Sequence, residues 1–236
     1  MNRLYAVLSW VIALLIPLAS IGLGVRLLLT PLYLQFEYNR PDFPPDAYGF
    51  TTPDRLRWGL SGVDYLLNNA GISYLGDLKF PDGTTLFNER ELSHMHDVKI
   101  VTQGFLRIWY TDILLLVLTG IWAWRAQWFH TYRRGLRRGG WLTLFLALTV
   151  GLIGTLGASG SGDVFWQFFS DFHGLFFQGQ SWLFPDSDTL IRLYPLKFWE
   201  DAVLYIGVIS ALGAFACAFV PRDIGTAALP GNRAQP

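Results

Sequence analysis

The chain has a single cysteine, Cys217, which excludes intramolecular disulfides, disulfide exchange and cysteine-rich metal sites. Charge is scarce as well. Asp, Glu, Lys and Arg make up 15% of 236 residues and cancel to zero net charge. A soluble domain carries about 25% charged residues, so the deficit points to a membrane protein, and the balance gives no hint of nucleic acid. There is no internal repeat, no low-complexity tract and no G-x-S-x-G elbow for a serine nucleophile. None of the four histidines lies inside an apolar run, where axial ligands of a membrane haem would stand.

What remains is apolar and aromatic: 52% hydrophobic residues and 16% Phe, Trp and Tyr. A transmembrane helix needs roughly 20 mostly apolar residues, and four segments qualify: Leu4 to Leu29, Ile108 to Trp124, Trp141 to Leu156 and Ala202 to Val220. The first has no A-x-A cleavage site after it and reads as a retained helix. The link between the second and third, "RAQWFHTYRRGLRR", holds Arg125, Arg133, Arg134, Arg137 and Arg138 without an acid. By the positive-inside rule it is cytoplasmic, and Arg3 and Arg222 place both termini inside with it. The expected order is then a first membrane helix (1–30), an extracytoplasmic cap (31–107), a second helix (108–126), the arginine-rich cytoplasmic loop (127–140), a third helix (141–157), an outer aromatic segment (158–201), a fourth helix (202–220) and a cytoplasmic tail (221–236). The fold class is a mainly α membrane protein with a small α+β cap and an interfacial aromatic helix.

In the cap, "TTPDRLRWGLSGVDYLLNN" reads as a helix with Thr52 as N-cap and Pro53 at its first position. "ISYLGDLKFPDGTTLF" turns at Pro81-Asp82-Gly83 and suggests a small hairpin. "NERE" opens another helix, in which Asn88 and Glu91 form a capping box. At about 100° per residue, His94 on that helix shares a face with Val98, Val101, Phe105 and Ile108, whereas His96 points about 200° away with Lys99, Gln103 and Arg107. Two residues apart on a helix, the pair cannot chelate one ion; helical ligands come at i, i+4. The second outer segment, "DVFWQFFSDFHGLFFQGQSWLF", is dense in rings of the kind that gather at a membrane boundary and reads as an amphipathic helix in that plane. His173 sits in it with Trp166, Phe169 and Phe177 on its face.

A histidine on an apolar face is more often structural than chemical. Here His94 and His173 stand in separate outer segments, both at the membrane boundary, which favours a shared site. His96 reads as a solvated surface residue and His130 as a structural one. Asp112 is a candidate by its place in a membrane helix, with packing as the plain alternative. Arg26 snorkels. Gly151, Gly154 and Gly157 allow close helix packing, and Glu200 and Asp201 cap the fourth helix.

At this point a resemblance enters. Glu91-x-x-His94-Met95-x-Asp97-Val98-Lys99 resembles the histidine-bearing motif of the bacterial lipoprotein intramolecular transacylases. So do Phe172-His173 with Phe176-Phe177, the following Trp182 and Phe184, and "LIRLYPLKFWED". The likeness spans almost the whole chain. It implies an acyl transfer within one substrate molecule, a lipoprotein whose N-terminal cysteine carries a thioether-linked diacylglycerol. The sn-2 acyl chain moves to the cysteine's α-amino group. The family uses two histidines, which carry over to His94 and His173, and no cofactor or metal. His94 is given the place of the base and His173 that of the acid, an order that nothing in the sequence fixes. Phe169, Phe172, Phe176, Phe177, Trp182, Tyr194 and Trp199 would contact substrate. Glu91 and Asp97, flanking His94 at i−3 and i+3, would support its ring, with a plain surface-charge role as the alternative. The partners are the lipoprotein substrate and membrane lipids.

Two other readings compete: a metal-dependent membrane hydrolase using His94, His96 and Asp97, which the helical geometry disfavours, and a non-catalytic membrane scaffold or lipid-binding subunit with structural histidines.

Overall fold

The structure is a computed structural model; it describes residues 3–158, 164–177 and 179–221. Arg222 and the rest of the expected tail lie outside the described residues, as do the side surroundings of Gly154 and Gly157. The described residues form helices α1 (Arg3–Leu28), α2 (Pro31–Tyr38), α3 (Thr52–Leu67), α4 (Ser73–Gly76), α5 (Glu89–Arg125), α6 (Phe129–Ala158), α7 (Val164–Phe176), α8 (Thr189–Leu193) and α9 (Leu196–Ala218).

Three of these, α1, α5 and α9, are long and apolar enough to cross a membrane. Between them α6 packs against both α1 and α9. Small residues set the spacing. A Cβ on Gly140 would lie 2.5 Å from the Ala214 carbonyl oxygen and 2.4 Å from the Ala218 nitrogen, and one on Gly139 would lie 2.8 Å from the Ala13 oxygen. Only a bare backbone admits helices this close. Gly151 has open space around its Cβ position, so the close approach falls a few turns earlier on α6 than the sequence suggested. Ile12, Ile16, Leu116, Ala123, Trp128 and Tyr132 fill the bundle, while Leu14, Val117, Leu148 and Leu212 are exposed on its outside, as residues solvated by lipid are.

Two of the expected boundaries fall inside helices. The expected cap–membrane junction at 107 is the middle of one uninterrupted helix, α5, because no glycine or proline pair breaks its i→i−4 ladder. The arginine-rich link is helical from Phe129 onward. The turn is confined to the residues before it, where Gln127 adopts φ 60°.

The cap comprises α2, α3, α4 and α8 around the N-terminal half of α5. Trp58, Tyr65, Leu75, Leu86, Phe87, Met95, Leu190 and Leu193 form its core. The cap of α3 is Thr51, one residue before the expected Thr52. Of two adjacent threonines, Thr51 is the one that has an acid at N3, and Asp54 returns the bond to the Thr51 amide at 2.9 Å. The expected hairpin is reduced to one antiparallel bridge, Lys79 to Thr85, around Gly83 at φ 86°. Among the described residues there is no strand. Leu78 and Leu86, bonded at 2.9 Å, turn into the cap core after this bridge and end the pairing. Asp201 does not cap α9, which begins at Leu196 after Pro195. Its carboxylate meets Lys197 at 2.6 Å and Arg40 at 3.0 Å instead.

Candidate active site

The first turn of α5 fixes His94. The Asn88 side chain accepts from the Glu91 amide at 3.0 Å, and Glu91 Oε2 accepts from the Asn88 amide at 2.8 Å, the expected capping box. Glu91 is 1% exposed, and its other oxygen accepts the Leu190 amide at 2.7 Å. Both oxygens therefore bond backbone amides, and any support that Glu91 gives His94 runs through the position of α5. Asp97 is half-buried and has no hydrogen bond or ion pair among the described residues.

The buried side of this part of α5 is Glu91, Met95 and Lys99. The sequence placed Lys99 on a polar face, yet α3 closes over it. Its ammonium donates to the Ala70 oxygen at 2.7 Å and to Asn68 Oδ1 at 3.1 Å, and lies 4.0 Å from the centre of the Tyr65 ring. A lysine is tolerated there because its head is bonded and its stem packs. His94 lies beside this strip and His96 is exposed. Among the described residues no three His, Cys, Asp or Glu side chains gather at metal distance, so His94, His96 and Asp97 do not converge.

His173 comes from α7. Its ring stands 6.3 Å from that of His94, centroid to centroid, inclined by 23°. Aromatic rings close round the pair. Phe177 lies 4.9 Å from His94 and 5.6 Å from His173; Phe184 lies 5.4 Å from His94; Phe169 and Trp182 lie 4.0 Å and 4.7 Å from His173. Phe172 touches His173 at 5.8 Å, and Phe176 reaches the site through Phe172 and Phe177. Trp199 touches Phe169 at 6.1 Å. Tyr194 is further back: its hydroxyl donates to the Gly59 oxygen at 2.7 Å and its carbonyl accepts from the Trp199 indole at 3.1 Å, so it joins α3 to the start of α9.

This wall sets the electrostatics. Burial lowers the pKa of His94 to about 4, and the neighbouring His173 pushes the same way. Burial also lowers His173, opposed by its bond to the Phe169 carbonyl. That bond, Nδ1 to oxygen at 2.7 Å, decides the tautomer: a carbonyl only accepts, so Nδ1 carries the hydrogen and Nε2 keeps its lone pair. His94 Nδ1 is buried and has no hydrogen-bond partner among the described residues.

Sequence reasoning left Phe184 out of the substrate wall and did not single out Arg90, whose guanidinium lies 4.8 Å over the Phe184 ring. The i, i+4 spacing of Arg90 and His94 was the available signal. A second polar cluster was also missed. Glu37, fully buried on α2, shares Arg40 with Asp201, and Arg40 also donates to the Tyr205 hydroxyl at 2.6 Å. Its members lie far apart in the chain, and no local pattern joins them.

These features define a class: a multi-pass membrane protein whose helical cap and aromatic helix bring two histidines together in a pocket of rings. The chain belongs to the lipoprotein intramolecular transacylase family, Lit, whose family model matches residues 10–199. It is 28% identical over 205 residues to an uncharacterized protein of Aquifex aeolicus (strain VF5), covering 87% of this chain and 88% of that one. In fold it is similar to the membrane-integral lipoprotein intramolecular transacylase Lit from Bacillus cereus, with a TM-score of 0.74 and 21% identity, covering 92% of this chain and 94% of that chain. A variant of the same Bacillus cereus protein with a histidine replaced by arginine gives a TM-score of 0.66 at 22% identity, covering 92% of this chain and 88% of that one. Membership makes this chain a membrane enzyme of lipoprotein maturation.

Proposed function

We propose that the protein moves the sn-2 acyl chain of a diacylglyceryl-cysteine lipoprotein onto the cysteine's own α-amino group, with His94 and His173 at the reacting atoms. The observation that carries this reading is the approach of the two imidazoles to 6.3 Å inside an aromatic wall, which suits an acyl chain and sets two proton-handling groups side by side. The cap and α7 stand on the extracytoplasmic side, where processed lipoproteins are found, with α1, α5, α6 and α9 crossing the bilayer and the arginines of α6 inside.

His173 is the base, the reverse of the order assigned from the sequence. With Nδ1–H held by Phe169, its Nε2 lone pair takes a proton from the amine as nitrogen attacks the acyl carbon. His94 stays uncharged, because burial and its neighbour oppose the imidazolium. With no acceptor at Nδ1, its proton belongs on Nε2, from which it donates a hydrogen bond to the departing glyceryl oxygen. A neutral imidazole acting as a hydrogen-bond donor is a known catalytic device. As the C–O bond breaks, the proton held by His173 passes to that oxygen. The N–C amide bond has formed, the ester bond has gone, and the molecule has the same mass.

No acyl-enzyme is needed, since amine and ester belong to one substrate. Attack closes a ring of about eight members that forms poorly in free solution, so positioning by the rings supplies most of the rate. The test is co-expression with a diacylated reporter lipoprotein in a host unable to N-acylate it, reading the N-terminal peptide by fragmentation. Wild type and His96→Ala should carry the acyl chain on nitrogen. His94→Ala and His173→Ala should leave it on glycerol while accumulating normally. An unmodified amine with wild-type protein present would overturn the reading.

A further inference from the structure

Attack on the ester turns the carbonyl oxygen into an oxyanion, and a pocket that carries this reaction needs a donor aimed at it. The rings of Phe169, Phe172, Phe177 and Phe184 supply none; their faces carry the negative side of the ring quadrupole. The His173 Nδ1–H is spent on the Phe169 carbonyl, and the His94 N–H faces the glyceryl oxygen in the scheme above.

Among the donors near the histidines, the Trp182 indole packs directly on the ring of the base. Trp182 follows α7 in a turn closed by the Leu183 amide on the Gln180 oxygen at 3.1 Å. Its ring packs 4.7 Å from His173, 5.9 Å from Phe169 and 6.0 Å from Trp166, so three rings hold the indole beside the base. A half-buried indole N–H ordinarily finds an acceptor. The Trp199 indole bonds the Tyr194 oxygen at 3.1 Å and the Trp109 indole bonds the Ala19 oxygen at 3.0 Å. Among the described residues Trp182 Nε1 has no acceptor. A rigid donor left open beside the base is the arrangement that oxyanion stabilisation requires: little reorganises when the charge appears.

We propose that the Trp182 indole N–H is a catalytic hydrogen-bond donor to the oxyanion of the tetrahedral intermediate. The assignment rests on the transacylase reading. It predicts a loss in the chemical step and not in substrate binding. Trp182→Phe keeps a ring against His173 and removes the donor with the five-membered ring that carries it.

The experiment uses the purified full chain in lipid nanodiscs with a synthetic diacylglyceryl lipopeptide. Its sn-2 ether analogue has no carbonyl, and its sn-2 phosphonate analogue mimics the tetrahedral anion. Trp182→Phe should lower kcat by about 10²–10³ with little change in KM. It should bind the ether analogue as wild type does, which also shows that the pocket is intact, and lose about tenfold or more of the preference for phosphonate over ether. Trp182→His, which restores a ring N–H, should recover part of kcat. A kcat for Trp182→Phe within about threefold of wild type, or a parallel loss of ether and phosphonate binding, would overturn the assignment and leave Trp182 a packing residue. A wild type that makes no N-acyl product sinks the transacylase reading, and this donor falls with it.

Discussion

The carboxylate of Glu91 holds the amide of Leu190 at 2.7 Å, so the first turn of α5 and the segment after the aromatic pocket are set by one side chain. His94 stands one turn beyond Glu91, and Phe184, which packs on His94 at 5.4 Å, shortly precedes Leu190. The His94 side of the pocket thus takes its position from these two oxygens.

Removing Glu91 should therefore cost more than a helix cap. Glu91→Ala loses the capping box and leaves the buried Leu190 amide unpaired, a destabilisation of about 3 kcal/mol. Asn88→Ala, which loses only the cap, should cost about 1 kcal/mol. Melting temperatures of the purified variants in one detergent check the order, and equal losses for the two would refute the tether.

The histidines give a pH signature in both rate and stability, each rising as pH rises from the acid side. Both are shifted toward the uncharged form, so His173 is competent as a base at neutral pH. The rising limb of kcat/KM should then follow the substrate's α-amine, near 7.7–8.0. For stability, a lowered histidine pKa means that the unfolded chain binds more protons once pH drops below about 6.5. The protein should lose stability as pH falls from there toward the His94 value of about 4. His94→Phe should flatten that acid-side fall in melting temperature.

Glu37 predicts the mirror image. Burial, helped by the neighbouring Asp201 and opposed by Arg40, raises its pKa to about 7. The charged and titratable groups facing it are Arg40, Asp201, Tyr33 and Tyr205, with Lys197 on the far side of Asp201. A raised carboxyl pKa contributes stability that is fully present below the unfolded value, about 4.5, and is lost as pH rises through the folded one. Glu37→Gln should raise the melting temperature at pH 8 relative to wild type and remove the decline between pH 5 and pH 8. A Glu37→Gln variant whose melting temperature follows the wild-type pH dependence over that range would contradict this.

On α6, Gly140→Ala puts a methyl group 2.5 Å from the Ala214 oxygen. Helix backbones must separate to admit it, at a cost of about 1–3 kcal/mol. Gly151→Ala on the same helix meets nothing within 4 Å and should be tolerated. Size-exclusion profiles and melting curves of the pair distinguish a packing interface from general helix propensity.

The pairing of His94 with His173 rested on their apolar faces together with the family resemblance, whereas the long helices and the Asn88 capping box were legible because each rests on local periodicity or composition. The buried Lys99 was not, since a lysine among Gln103 and Arg107 reads as solvent-facing until α3 covers it. The hairpin failed for a related reason: turn chemistry at Gly83 was correct, but the flanking leucines had a core to enter. Asp201 looked like a helix cap because its partners, Arg40 and Glu37, are remote in sequence. The proposed order of base and acid rests on one carbonyl, that of Phe169, and no residue type announces a tautomer.

Because α5 runs unbroken for 37 residues, it behaves as a shaft with a fixed phase. Trp109 is keyed against Gly22 at one level, and His94 is presented to His173 at another. An added residue between the two levels would turn the histidine by about 100° and lift it by about 1.5 Å. The membrane portion therefore acts as the bearing that sets the angle of the imidazole, and the chemistry at the top of the helix is indexed from a contact several turns below it.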